Sequence, residues 1–211
     1  MAENAFIWDL DGTLFDSYPV IVQSMCDTCG VFSLPYEREA VHDFVIRRSV
    51  KELCSELAKE HGLDAAALYA CYQRFSESRG SLVRAIPHAV ETLARLSGAG
   101  LQSFVYTHRG LSALGILAQT GLAPYLTEVL TAESGFPRKP DPTAILWLLD
   151  KYGLAPEKTW YVGDRSLDME AAKNAHVRAI LFLAPGSPAE ATGTEDVIVS
   201  DLAEIPPLFG L

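Results

Sequence analysis

The sequence predicts an α/β protein in which a doubly wound parallel sheet is interrupted near its start by a helical insert. Three observations carry this reading. Short apolar runs at residues 5–9, 102–107, 128–131, 160–163, 179–183 and 197–199 have strand length. Helical patterns at 89–96, 111–120, 143–152 and 167–174 fall between the later runs, and such alternation marks a parallel sheet with helices on both faces. Residues 15–85 break the rhythm, offering helical stretches at 20–28, 50–61 and 65–77 without a convincing strand.

The alternation starts before that stretch and resumes after it. The simplest organisation is therefore a Rossmann-like doubly wound α/β core, residues 1–14 and 86–211, carrying an α-helical cap insert, residues 15–85. Asp16-Ser17-Tyr18-Pro19 and Ala85-Ile86-Pro87 supply the two linkers.

Composition limits the function classes. With 211 residues, 49% of them hydrophobic, the chain can bury one substantial core, or one core plus a small satellite domain. A net charge of -10 argues against a nucleic-acid surface, which needs clustered Lys and Arg, and makes a divalent cation the more natural partner. The first residues lack a basic segment, a long apolar segment and a cleavage site, and no apolar run approaches the ~20 residues of a membrane span. A soluble, cytoplasmic protein without membrane contact is expected, with monomer and homodimer both open. The four cysteines, Cys26, Cys29, Cys54 and Cys71, lie in helical sequence and are expected as reduced thiols of a helix face or core.

In an open parallel sheet, ligands bind beyond the carboxyl ends of the strands, so polar residues there carry weight. The first strand delivers Asp9 and Asp11, one residue apart. Asp11-Gly12 alone reads as a hairpin turn, but no returning strand follows. Thr107 closes the second strand; its hydroxyl, with the backbone N–H groups of His108 and Arg109, can cradle a phosphate at a helix start. Lys139 precedes a helix begun by an N-cap Asp141 and Pro142, and reads either as a solvated lysine or as a charge held over the site. Asp164 ends another apolar strand, and Asp168 follows one helical turn later. Capping explains either aspartate singly, but not a second strand end that also carries a carboxylate pair.

Together, Asp9-x-Asp11-Gly12-Thr13, Thr107, Lys139 and Gly163-Asp164-x-x-x-Asp168 resemble, in order, the signatures of the haloacid dehalogenase-like superfamily. The resemblance covers essentially the whole chain, and the insert resembles the cap of the phosphoglycolate phosphatase and β-phosphoglucomutase branch. It implies an Mg2+-dependent phosphatase acting on a small phosphorylated metabolite. Asp9 is then the nucleophile and forms an aspartyl-phosphate, while Asp11 is the acid and base. Thr107, His108 and Lys139 hold the transferring phosphate. Asp9, the backbone carbonyl of Asp11, and Asp164 hold Mg2+, with Asp168 orienting that shell. The presence of Asp11 argues against carbon-halogen chemistry.

Arg47 and Arg48 lie where related caps carry a specificity loop, and an inward-facing one can pair with a second anion on the substrate. This segment lacks the glycine expected in a β-phosphoglucomutase-like cap, and phosphoglycolate is the motivated substrate. Two other readings stand beside hydrolysis: a sugar-phosphate mutase of the β-phosphoglucomutase kind, and a binding or regulatory protein without turnover on the same fold.

Overall fold

The computed structural model describes residues 4–211. Its central strand, β1 (Ala5–Trp8), is four apolar residues buried on both faces, as a strand sandwiched between helix layers must be. After it the chain makes a tight turn through Gly12, whose φ of 87° suits glycine, and Phe15 N–H closes the turn on Leu10 C=O at 2.7 Å. Two short strands follow at the edges of the insert: β2 (Phe15–Asp16) pairs antiparallel with β3 (Arg84–Ala85). This two-residue ladder is missing from the sequence reading, because a run so short carries no periodic signal.

The chain divides into two compact units: one ends its first segment at Asp16 and resumes with Arg84–Leu211, the other is Ser17–Val83. The second unit is helical, with α1 (Tyr18–Val31), α2 (Arg38–Arg47), α3 (Val50–His61) and α4 (Ala65–Ser78). Ser49 caps α3 by accepting the Glu52 N–H at 3.1 Å, and Gly62 ends it in the left-handed conformation. Inside this unit all four cysteines are buried and unbridged. Burial pushes the Cys29 thiol up to about 11 and that of Cys54 up to about 12, so both stay protonated and unreactive.

The remaining elements of the first unit are α5 (Ala89–Gly98), β4 (Gln102–Tyr106), α6 (Ser112–Gln119), β5 (Glu128–Leu130), α7 (Thr143–Tyr152), β6 (Thr159–Gly163), α8 (Ser166–Asn174), β7 (Arg178–Phe182) and β8 (Val197–Val199). Six strands form one parallel sheet in the order β5-β4-β1-β6-β7-β8. Ile7, Phe104, Tyr106 and Tyr161 from the sheet pack with Leu148 of α7 and Met169 of α8 in its core. From β1 the chain builds outward to β5 on one side, then returns to build β6, β7 and β8 on the other. That reversal opens a crevice beside the end of β1. Among the described residues no helix is long and apolar enough to cross a membrane.

Candidate active site

Sheet register brings the candidate residues together. Trp8 is level with Val105 of β4 and Val162 of β6, so Asp9, Thr107 and Asp164 all emerge within one residue of the same height. Asp9 is held by its own backbone, which donates to Val162 C=O at 2.9 Å, and Thr107 N–H donates to Leu130 C=O at 3.0 Å. These side chains therefore project from hydrogen-bonded strand ends, not from free loops.

Lys139 reaches this point from the segment before α7. Its Nζ donates to Asp9 Oδ1 at 2.6 Å, Asp168 Oδ1 at 2.7 Å and the Tyr161 hydroxyl at 3.1 Å, and its side chain is 3% exposed. The solvated-lysine alternative is thus not the observed one. Burial alone would depress this ammonium, but Asp168 and Asp9 outweigh it and hold its pKa well above the ordinary lysine range. Burial acts oppositely on Asp9 and outweighs the attraction of Lys139, so its carboxyl rises to about 6.

Asp168 sits in the first turn of α8, 1% exposed, with its other oxygen accepting Arg165 N–H at 3.2 Å. Its packing explains Gly163: a Cβ there would lie 2.4 Å from the Asp168 side chain. Gly163→Ala should cost about 1–3 kcal/mol through this clash. Thermal unfolding followed by circular dichroism should show a fall of about 2–12 °C.

Asp164 Oδ1 accepts the Thr13 hydroxyl at 3.2 Å, which fixes that carboxylate from the loop after β1. Carboxylate oxygens of Asp9, Asp164 and Asp168 lie within 4.8 Å of one another, all three residues buried. Three carboxylates against one ammonium leave two formal negative charges in this cluster, and oxygen donors suit a hard divalent cation. The donor set therefore fits the expected metal. Asp168, expected only to orient the metal shell, offers an oxygen as near as the others. The carboxylate of Asp11 turns instead to Arg109, whose Nε lies 3.0 Å from Oδ1.

Thr107 Oγ1 accepts Arg109 N–H at 3.1 Å, which leaves the Thr107 hydroxyl proton free to donate. His108 follows a different course. Its Nε2 accepts Lys139 N–H at 2.7 Å, and burial, with Lys139, Arg138 and Arg165 nearby, pushes its pKa down to about 2. It is a neutral ring tying the Lys139 segment to the end of β4. In the helical unit, Ile46 and Arg47 close α2, and Arg48 pairs with Glu52 at 2.9 Å and also with Glu56, its side chain 49% exposed. Asp141 accepts Thr143 N–H at 2.9 Å and so caps α7, with Pro142 just outside the helix.

The family model for haloacid dehalogenase-like hydrolases matches residues 6–182. The chain belongs to this family. A phosphoglycolate phosphatase of Vibrio cholerae is 31% identical over 180 residues, 80% of this chain and 79% of its own. A pyrophosphatase of Bacillus velezensis is 29% identical over 174 residues, 82% of this chain and 79% of its own. A solved structure described as a predicted phosphoglycolate phosphatase from Haemophilus somnus superposes with a TM-score of 0.85, covering 98% of each chain. At 22% identity that likeness speaks to the fold. In this hydrolase, sequence reasoning missed what Thr13, Tyr161 and the Arg109 side chain do. Thr13 stood inside the first motif, but Tyr161 looked like any apolar strand residue.

Proposed function

We propose that this hydrolase is a Mg2+-dependent phosphatase that cleaves a small phosphorylated metabolite through an aspartyl-phosphate on Asp9. The observation that carries the reading is the Lys139 ammonium seated between Asp9 and Asp168 at the crevice of the sheet. It orients a buried carboxylate for in-line attack and supplies positive charge where an otherwise acidic protein must accept an anion.

Asp9 attacks phosphorus, and the bond from phosphorus to the leaving oxygen breaks as Asp11 gives that oxygen a proton. Asp11 then takes a proton from water as the water attacks phosphorus, which releases inorganic phosphate and restores Asp9. Thr107 donates its hydroxyl proton to a phosphoryl oxygen, beside the backbone N–H of His108. Asp9, Asp164 and the Asp11 carbonyl hold Mg2+, with Asp168 alongside; bound there, the ion screens the charge between carboxylate and phosphate. His108 contributes indirectly, by fixing the segment that carries Lys139. The helical unit serves as the cap; of its candidate specificity residues Arg47 and Arg48, Arg48 already pairs with Glu52 and Glu56.

Both named relatives act, by name, on small anions, phosphoglycolate and pyrophosphate, and a phosphoglycolate-like substrate is the first to test. Purified protein should release phosphate from p-nitrophenyl phosphate with Mg2+ and lose at least about 100-fold of that rate with excess chelator. Release unaffected by chelation, or no release across a panel of small phosphate esters, would defeat the reading.

A further inference from the structure

Arg109 places a bidentate cation directly on Asp11. Its Nε lies 3.0 Å from Oδ1 and 3.1 Å from Oδ2, and its Nη2 lies 2.5 Å from Oδ1. The arginine side chain is 9% exposed and that of Asp11 25%. Its backbone is pinned on both sides, donating to Thr107 Oγ1 at 3.1 Å and accepting Ala132 N–H at 3.0 Å. The guanidinium therefore extends from a fixed loop.

We propose that Arg109 is a specificity-determining residue that binds a second anionic group, a carboxylate or phosphate, on the leaving group of the substrate. The inference rests on the phosphatase reading, because Asp11 marks the leaving-group side only if it protonates the leaving oxygen. A group hydrogen-bonded to Asp11 then stands within two hydrogen-bond lengths, roughly 6 Å, of that oxygen. In glycolate phosphate and in pyrophosphate the second anion is one or two atoms from it, within reach of the fork. A guanidinium keeps its charge at any working pH and matches carboxylate or phosphate with two parallel bonds. In the unliganded protein Asp11 occupies that fork; the substrate anion takes it over, which leaves Asp11 to the leaving oxygen. Arg48, by contrast, spends its cation on Glu52 and Glu56 at an exposed face of the helical unit.

The test compares 2-phosphoglycolate with ethyl phosphate, which has the same carbon chain without the carboxylate, in wild type, Arg109→Ala and Arg109→Lys. Loss of Arg109 also disturbs Asp11, but that affects both esters and cancels in the ratio of their kcat/KM values. The wild type should prefer phosphoglycolate, and Arg109→Ala should reduce that preference at least about tenfold, mainly through KM. Arg109→Lys, with charge but no fork, should fall between them. Calorimetric titration of 2-phosphoglycolate into Asp9→Asn and Asp9→Asn/Arg109→Ala should show the same weakening without turnover, and circular dichroism checks that each variant folds. Equal loss on both esters, an unchanged binding constant, or a wild type that hydrolyses p-nitrophenyl phosphate without preferring phosphoglycolate overturns the proposal. A wild type that hydrolyses no phosphate ester at all removes the phosphatase reading itself.

Discussion

Asp9→Asn should lower magnesium-dependent phosphate release by at least about 10^4-fold, to the level of the reagent blank, because an amide oxygen cannot form the covalent intermediate. The same substitution should leave the fold intact, which separates loss of chemistry from loss of structure. Asn matches the shape of Asp9 and keeps an oxygen for Lys139, while Asp168 still pairs with that ammonium. The direction with pH follows from the raised carboxyl. Asp9 titrates near 6 when folded against 3.8 in the open chain, so its contribution to stability is full below about 3.8 and is lost as pH rises through about 6. Asn has no such loss. Without magnesium, the variant should therefore gain on the wild type between pH 4 and pH 7 in thermal unfolding scans. Added Mg2+ should reverse that order, since it stabilises only the form whose carboxylates it can bind. Retained phosphate release in the variant would remove Asp9 as the nucleophile.

Lys139→Met should strongly destabilise the α/β unit. The side chain is of similar length and the site is buried, so packing survives while Asp9 and Asp168 lose the cation between them. Breaking a buried ion pair from one side typically costs about 3–5 kcal/mol. In a protein of this size that is a fall of about 6–20 °C in Tm. All three tryptophans, Trp8, Trp147 and Trp160, lie in that unit, so urea unfolding followed by their fluorescence reads it selectively. The deficit should shrink toward pH 4 as Asp9 takes a proton, and shrink with added Mg2+ as a second cation meets the carboxylates. A variant as stable as wild type at pH 8 without metal would show that Lys139 does not neutralise this cluster.

Much of this arrangement was legible in the chain, and what was not has identifiable causes. The strand runs at 102–107 and 160–163 match β4 and β6 to within one residue at each end, because parallel strands buried on both faces read as continuous apolar segments. The run at 143–152 coincides with α7, where Asp141 and Gly153 punctuate both ends. By contrast, α2 went unread. It buries Val41, Val45 and Ile46 in only ten residues and has no side-chain cap on its first turn, so neither periodicity nor punctuation announces it. Ser49, next to the expected specificity residues Arg47 and Arg48, caps α3. The sequence places the His108 backbone N–H beside Thr107 for a phosphate and leaves its side chain open; the ring nitrogen accepts from the Lys139 backbone, a contact that only the fold creates.

The amino-acid sequence by itself determined the layered fold class, the family, and which strand ends carry Asp9, Asp11, Thr107 and Asp164, because burial pattern and strand-end chemistry are local properties. Only the tertiary structure decided which side chains meet. Lys139 lies 130 residues from Asp9, and Arg109 lies 98 from Asp11. Both contacts exist because β4 and β6 flank β1 in register, which bare spacing along the chain does not encode.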